Sequence, residues 1–127
     1  MSRGVKEIKN RKAKFEYNFI QGFEAGISLR GTEVKSLRKG EASLNDAYCL
    51  FVKGELFIKS LYIAEYEHGN INNHETRRDR KLLLRKSELI KIEKKSKEKG
   101  YTIVPYRIFF SERGFAKVEI FLAQGKK

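Results

Sequence analysis

Residues 15–29 alternate between apolar and polar side chains, which is the pattern of a β-strand with one buried face. The apolar side chains occupy odd positions: Phe15, Tyr17, Phe19, Phe23, Ala25, Ile27 and Leu29. A strand that keeps one phase for this length must bend to stay on a small core, and Gly22 and Gly26 offer places to bend. The alternation therefore predicts a mainly β fold built around one long strand.

Two further pairs of apolar stretches predict antiparallel hairpins. The first pair, residues 47–52 and 55–63, is joined by Lys53-Gly54, a two-residue turn signal. Its apolar phase shifts within residues 55–63, which predicts a bulge there. The second pair, residues 104–110 and 116–122, is joined by the turn sequence SERG.

Helices are few, and they complete the predicted architecture. One is expected from Thr32, a capping residue, to a stop at Gly40, and another from about residue 85 or 87 to a stop at Gly100. Five to seven short antiparallel strands with two or three small helices predict a closed or nearly closed barrel, because closure removes exposed strand edges. We expect a flexible arm over residues 1–12 and a single domain over residues 13–127.

The charge balance indicates the class of partner. The chain has 28 Lys and Arg residues against 16 Asp and Glu residues, a formal net charge of +12. On so small a protein, this surplus attracts polyanions, and nucleic acid is the leading candidate. The longest apolar run, residues 47–52, is too short to span a membrane, so no membrane partner is expected. With no secretory signal and a single cysteine, Cys49, the expected location is the cytoplasm.

The first basic cluster, GTEVKSLRKG at residues 31–40, carries only two apolar side chains, Val34 and Leu37. Two apolar residues three apart can seat one helical face on the open end of a barrel. Lys35, Arg38 and Lys39 would then stay at the rim. The alternative is a surface helix whose cations match the helix dipole.

The second basic cluster, RRDRKLLLRK at residues 77–86, places six cations and one acid around three leucines. Arginine provides planar donors that suit phosphate, although a charge run can also be a solvated face. If the leucines form a strand, Leu82 and Leu84 face one side and Leu83 faces the other. An outward Leu83 among arginines would be a contact residue.

Several motifs resemble one family over residues 10–127. They are NRKA at 10–13, FEAGI at 23–27, GTEVKSLRKG at 31–40, RKLLL at 80–84, KGYTIVP at 99–105, AKV at 116–118 and GKK at 125–127. In this order and spacing they are similar to the SsrA-binding protein family, also called small protein B. The resemblance implies an OB-like closed antiparallel barrel of about six strands with two or three short helices. It also implies binding to the tRNA-like domain of transfer-messenger RNA and delivery of that RNA to stalled ribosomes, without enzymatic activity.

The resemblance assigns residues to the RNA interface. It places Asn10, Glu24, Leu83 and Lys117 at the tRNA-like domain, supported by basic residues around Lys35 and Arg80. Further RNA-binding candidates are Arg11, Lys12, Arg38, Arg77, Lys81, Gly125, Lys126 and Lys127. A carboxylate facing RNA must accept from base or ribose donors, so Glu24 is a candidate for specificity, with a local ion pair as the alternative.

The resemblance also implies contact with the ribosome. Phe15 stands where many members have histidine in contact with the decoding region, so either stacking there or plain packing is expected of it. Family members continue with a basic tail after GKK, which the resemblance implies is missing from this chain.

Other functions find less support in the sequence. His68 and His74 lie in a loop with glutamates, but their spacing matches no strong metal motif, and we expect neither a metal nor a cofactor. The alternative within the binding class is a generic OB-fold protein for single-stranded nucleic acid, with Phe109 and Phe121 as outward aromatic residues. We expect a monomer.

Overall fold

A pair of long antiparallel strands organises the fold. The computed structural model describes residues 7–68 and 72–126. The strands are β1 (Ile8–Lys9), β2 (Tyr17–Ile27), β3 (Ala42–Ser43), β4 (Tyr48–Val52), β5 (Glu55–Lys59), β6 (Tyr62–Ile63), β7 (Arg80–Leu83), β8 (Thr102–Phe110) and β9 (Ala116–Gly125). The helices are α1 (Ala13–Glu16), α2 (Gly31–Arg38) and α3 (Lys86–Lys99).

Seven of these strands form one antiparallel sheet in the order β1–β8–β9–β2–β7–β5–β4. The longest ladder joins β2 to β9, and β8 continues the sheet on the other side of β9. The short strands β3 and β6 pair separately. The prediction of a mainly β protein is therefore confirmed.

The long strand changes face at Ile20. The β2–β9 register pairs Phe19 with Ala123 and then Gln21 with Leu122, so Ile20 is an extra residue in the ladder. Because one inserted residue reverses the alternation, Phe19 lies on the opposite face of the sheet from Phe23. The prediction of a single phase over residues 15–29 is therefore wrong at this point.

A second irregularity lies in β8. Its register with β9 shifts between Pro105 and Arg107, so Tyr106 has no ladder partner. Val104 consequently packs with Ala13 and Ala123 in a small cluster that also receives Phe19. The main core lies on the other face of the sheet. Its buried members include Ala25, Leu37, Leu56, Ile58, Leu82, Ile92, Ile108, Val118, Ile120 and Leu122.

The β4–β5 hairpin matches its prediction. Lys53 and Gly54 form the turn, with φ angles of 52° and 81°, as a two-residue hairpin requires. The predicted bulge in residues 55–63 is instead a change of sheet. Ser60 has a φ of 60°, and the chain then leaves β5 to form β6 beside β3.

Helix α2 is anchored differently from the prediction. It begins at Gly31, and the backbone N–H of Arg30 donates to Glu33 Oε1 at 2.7 Å. Thr32, the expected cap, instead hydrogen-bonds to His74 Nδ1 at 2.8 Å. His74 is therefore a buried residue with an exposed fraction of 3%, rather than a polar residue of an open loop. Leu37 is buried as expected.

Helix α3 follows the prediction closely. It spans Lys86–Lys99 and ends at Gly100, whose φ of 67° is left-handed. Ile92 is its one fully buried side chain among the described residues, while Ile90 is 58% exposed. None of the helices in the described part of the chain has the length and hydropathy needed to cross a membrane.

The N-terminal boundary of the fold lies earlier than expected. β1 pairs Ile8 with Ile108 and Lys9 with Arg107. The N–H of Asn10 then donates to the carbonyl of Tyr106 at 2.7 Å. Residues 8–10 are thus held by the sheet rather than forming part of a flexible arm, because their backbone groups are paired. Residues 1–6 lie outside the described residues.

Candidate nucleic-acid interface

Three strands bring Leu83 and Lys117 to either side of Gly26. The register pairs Gly26 with Leu83 of β7 and with Lys117 of β9. Ile27, which follows Gly26, and Val118, which follows Lys117, are buried in the main core. Because successive side chains of a strand face opposite sides, Leu83 and Lys117 lie on the outer face of the sheet. Leu83 is 50% exposed, which confirms the predicted alternation of the leucines.

These side chains line a groove on the outer face, which we term the outer groove. It has a volume of about 350 Å³ and is lined by Gly26, Ile27, Leu29, Val34, Leu83, Gly114, Phe115, Ala116 and Lys117. Val34 of α2 is only partly buried, so it contributes to a groove wall as well as to helix packing. The groove is thus mainly apolar, with Lys117 as its cation.

Glu24 lies on the same face, two residues before Gly26. It is exposed and stands opposite Glu119 in the ladder. Glu119 accepts from Arg107 Nε at 2.7 Å, which raises the pKa of Arg107. Within residues 7–68 and 72–126, Glu24 itself makes no ion pair within 4.0 Å. Among the described residues, the carboxylate of Glu24 is thus exposed and has no partner at ion-pair distance, although its charge is one of the smaller contributions that raise the pKa of Arg107.

Arg80, expected near the RNA interface, is fully buried. Its guanidinium lies 2.6 Å from Glu33 Oε2 and donates to the carbonyl of Leu61 at 2.7 Å. Arg78 donates to the other oxygen of Glu33 at 2.7 Å. Because moving Arg80 to the surface would leave the buried charge of Glu33 without this partner, Arg80 joins α2 to β7 and is not a surface contact.

The electrostatics of this buried network keep Glu33 ionised. Burial alone would raise the pKa of Glu33, but the hydrogen bonds from Arg78 and from the Arg30 N–H, together with the charge of Arg80, lower it below its ordinary value of 4.5. Burial also lowers the pKa of Arg80, and the charge of Glu33 opposes that effect. The network therefore holds α2, one wall of the outer groove, in a fixed position.

The exposed cations of α2 lie on two sides of the helix. Lys35 Nζ is 5.3 Å from the ring centroid of Tyr66. Arg38 Nη2 donates to the carbonyl of Gly114 at 3.1 Å, and its guanidinium stacks on Phe110 at 4.4 Å. Arg38 thus supports the β8–β9 turn beside the groove, whereas Lys35 does not line the groove.

Arg77 and Lys81, two candidates from the second cluster, have partners within the protein. Arg77 donates to the carbonyl of Ser60 at 3.1 Å and is exposed. Lys81 Nζ lies 2.7 Å from Glu55, in a pair whose side chains are 42% and 50% exposed. Because solvent-exposed pairs are weak, Lys81 remains able to exchange Glu55 for a phosphate.

The N-terminal candidates lie apart from the outer groove. Asn10 is 9% exposed and lines a separate cleft that includes Tyr48 and Pro105. Arg11 and Lys12 are exposed in the turn that precedes α1. The structure therefore does not bring Asn10 together with Leu83 and Lys117.

Phe15 and the end of β9 form a second surface. Phe15 lies in α1 and is 79% exposed, so the packing role considered for it is not observed. The N–H of Lys126 donates to the carbonyl of Glu16 at 2.9 Å, and Lys126 Nζ donates to that of Lys14 at 3.0 Å. Gly125 closes the β2–β9 ladder, and Lys127 lies outside the described residues. An exposed aromatic ring and a basic strand end are thus neighbours.

Phe115 was missed at the sequence level. It lines the outer groove and is 63% exposed. The sequence nevertheless contained a signal for it. Phe115 immediately precedes Ala116, which begins the inward-facing positions of β9, and successive side chains of a strand face opposite sides, so Phe115 is expected to face outward.

Comparison with known proteins gives a consistent result. A family model described as SmpB protein matches residues 7–127. The SsrA-binding protein of Phocaeicola vulgatus is 57% identical over 120 residues, covering 94% of this chain and 80% of that protein. The SsrA-binding protein of Thermosipho africanus is 49% identical over 118 residues, covering 93% and 79%.

A solved structure is also similar. It is described as "tmRNA-SmpB: a journey to the center of the bacterial ribosome" and matches with a TM-score of 0.78 and 49% identity, covering 95% of this chain and 85% of that chain. The family model, the curated relatives and the solved structure all indicate the same family. The chain belongs to the SmpB family.

Proposed function

We propose that this protein binds the tRNA-like domain of transfer-messenger RNA and brings that RNA to stalled ribosomes in the cytoplasm, where incomplete peptides are tagged. It acts as an RNA-binding factor rather than an enzyme. The observation that carries the proposal is the outer groove, where Leu83 and Lys117 flank Gly26 on the exposed face of a protein matched over residues 7–127 to the SmpB family. The similar solved structure, described as tmRNA-SmpB, supports both partners.

Each part of the outer groove has a role in this proposal. Lys117 neutralises a phosphate, and Leu83 makes apolar contact with a ribose or base. Glu24 accepts from base or ribose donors and so contributes specificity. Arg38 and Arg80 support the interface by holding α2 and the β8–β9 turn in place.

The second surface is assigned to the ribosome. Phe15 offers an exposed ring that can stack on a base of the decoding region, and Gly125 with Lys126 adds a basic strand end beside it. Asn10, Arg11 and Lys12 precede the same helix α1 and extend the RNA contact toward it. One small protein would thus contact two RNA surfaces.

We further propose that the sheet closes into an OB-like barrel. The edge strands of the sheet are β1 and β4. Cα atoms of β4 lie within 8 Å of Cα atoms of β8, which is the neighbour of β1. The bulges at Ile20 and Tyr106 supply the local twist that closure of a small sheet needs. Such a barrel would be a single domain that includes β1.

A binding titration tests the proposed function. Transfer-messenger RNA, an ordinary tRNA and a single-stranded oligonucleotide of equal charge are compared at several salt concentrations. We expect transfer-messenger RNA to bind most tightly, with log affinity falling against log salt at a slope of about −3.5 to −4.5 if roughly five phosphates are engaged. Equal affinity for the single strand would contradict the proposal and favour a generic OB-fold binder.

The structure provides one argument against that alternative. Phe109 lies beneath the guanidinium of Arg107 at 4.2 Å, and Phe121 stacks on Phe19 at 4.3 Å. Both rings, which the alternative needs as free stacking platforms, are therefore already in contact with other side chains.

A further inference from the structure

Phe115 is an aromatic ring held at the edge of the outer groove. Its side chain is 63% exposed, although burial of a large apolar side chain favours folding. Its nearest aromatic neighbours along the hairpin, Phe109 and Phe110, are each covered by a guanidinium. Phe115 thus differs from the other rings of this hairpin in facing solvent.

The turn that carries Phe115 is tied at several points. The N–H of Ser111 donates to the carbonyl of Phe115 at 2.9 Å, and the N–H of Phe115 donates to Ser111 Oγ at 3.2 Å. Gly114 has a φ of 87°, and its carbonyl accepts from Arg38 at 3.1 Å. Because both ends of the turn are fixed, the ring cannot move far from the groove without breaking these bonds.

The chemistry around the ring fits a nucleotide. The groove, with a volume of about 350 Å³, offers the apolar side chain of Leu83, the ring of Phe115 and the single cation of Lys117. A nucleotide has an apolar base face and an anionic phosphate, so its two parts match these two kinds of side chain. A Cβ at Gly26 would lie 3.3 Å from Leu83 Cβ, so the glycine makes room for the side chain of Leu83 beside the groove.

We propose that Phe115 stacks on an unpaired base of the bound RNA and that Arg38 is the residue that positions it. This inference rests on the proposed function and extends it, since it names the chemical group that occupies the outer groove. The base face contacts the ring, the adjoining phosphate pairs with Lys117, and Arg38 holds the turn through Gly114 without contacting RNA itself.

Tryptophan fluorescence tests the stacking directly. The natural chain contains no tryptophan, so Phe115→Trp introduces a single fluorophore that retains an aromatic face. We expect transfer-messenger RNA to quench its emission along the same titration curve that describes binding. Ile90→Trp, on the 58% exposed position of α3, serves as the matched control and should remain unquenched.

Affinity measurements complete the test. We expect Phe115→Ala to weaken binding about 5- to 150-fold, which corresponds to one lost base–aromatic stack. Phe115→Leu, which keeps apolar contact but not a π face, should lose most of that affinity, and Phe115→Trp should retain it. Circular dichroism and urea denaturation confirm that each variant is folded.

The results separate the two proposals. If the natural chain binds but Phe115→Leu binds equally well, or Phe115→Trp is not quenched, the stacking inference is overturned and the proposed function stands. If the natural chain fails to prefer transfer-messenger RNA, both are overturned.

Discussion

Replacing Glu33 with glutamine would remove a negative charge from a site closed to solvent. The carboxylate lies 2.6 Å from the guanidinium of Arg80 and 2.7 Å from that of Arg78. Without it, Arg80 would remain fully buried with carbonyl acceptors but no counter-charge. Breaking a buried pair in this way destabilises proteins by about 3 to 5 kcal/mol.

That loss is large relative to the total stability. A chain of 127 residues is expected to have a free energy of unfolding of roughly 6 to 19 kcal/mol. Urea denaturation followed by circular dichroism measures the change, provided that the slope of the free energy against urea is unchanged. Glu55→Gln is the matched control, because Glu55 forms an ion pair with Lys81 at the same 2.7 Å but at an exposed site. We expect it to cost about 0.2 to 1 kcal/mol.

The pH dependence gives an independent check. The pKa of Glu33 is lowered in the folded state, so its contribution to stability is fully present above its ordinary value of 4.5 and is lost as pH falls through the lower folded value. The difference in stability between the natural chain and Glu33→Gln should therefore shrink on acidification below pH 4.5. Equal costs for Glu33→Gln and Glu55→Gln at neutral pH, or a gap that widens in acid, would refute this account of the network.

Three further substitutions test the packing of the sheet. Leu82→Ala should cost about 2 to 5 kcal/mol of stability, because it truncates a core side chain. Leu83→Ala should change stability little and weaken RNA binding, because this side chain faces outward. Equal losses of stability in thermal denaturation would contradict the assignment of Leu82 to the core face and Leu83 to the outer face. Gly22→Ala would place a Cβ 2.8 Å from the ring of Phe121, so we expect a loss of about 1 to 3 kcal/mol in urea denaturation. Restoration of that stability by the added truncation Phe121→Leu would support the steric reason, and no recovery would count against it.

Local signals predicted the elements well where the determining interactions are short in range. Lys53 and Gly54 form the expected turn because their conformations depend on residue type and on the flanking strands. Gly100 ends α3 for the same reason. The alternation of Leu82 and Leu83 also followed directly from the geometry of a strand.

The features that the sequence did not predict depend on distant parts of the chain. The bulge at Ile20 is set by the register with β9, about a hundred residues later, and no local residue type marks it. The resemblance placed Arg80 among the basic residues that support the RNA interface, yet its burial is decided by Glu33, 47 residues away. The positive φ of Ser60 could not be predicted from residue type, because such a conformation is usually marked by glycine and this position is a serine.

The way in which Gly26, Leu83 and Lys117 meet has a consequence for the synthesis of the protein. These residues come from β2, β7 and β9, and β9 is made after the other two strands. Pairing across such sequence distances is slow, because the chain must close a long loop before the ladder is formed. Until β9 has left the ribosome, a nascent chain therefore has no outer groove. An incomplete copy of the protein would consequently not compete with the finished protein for RNA.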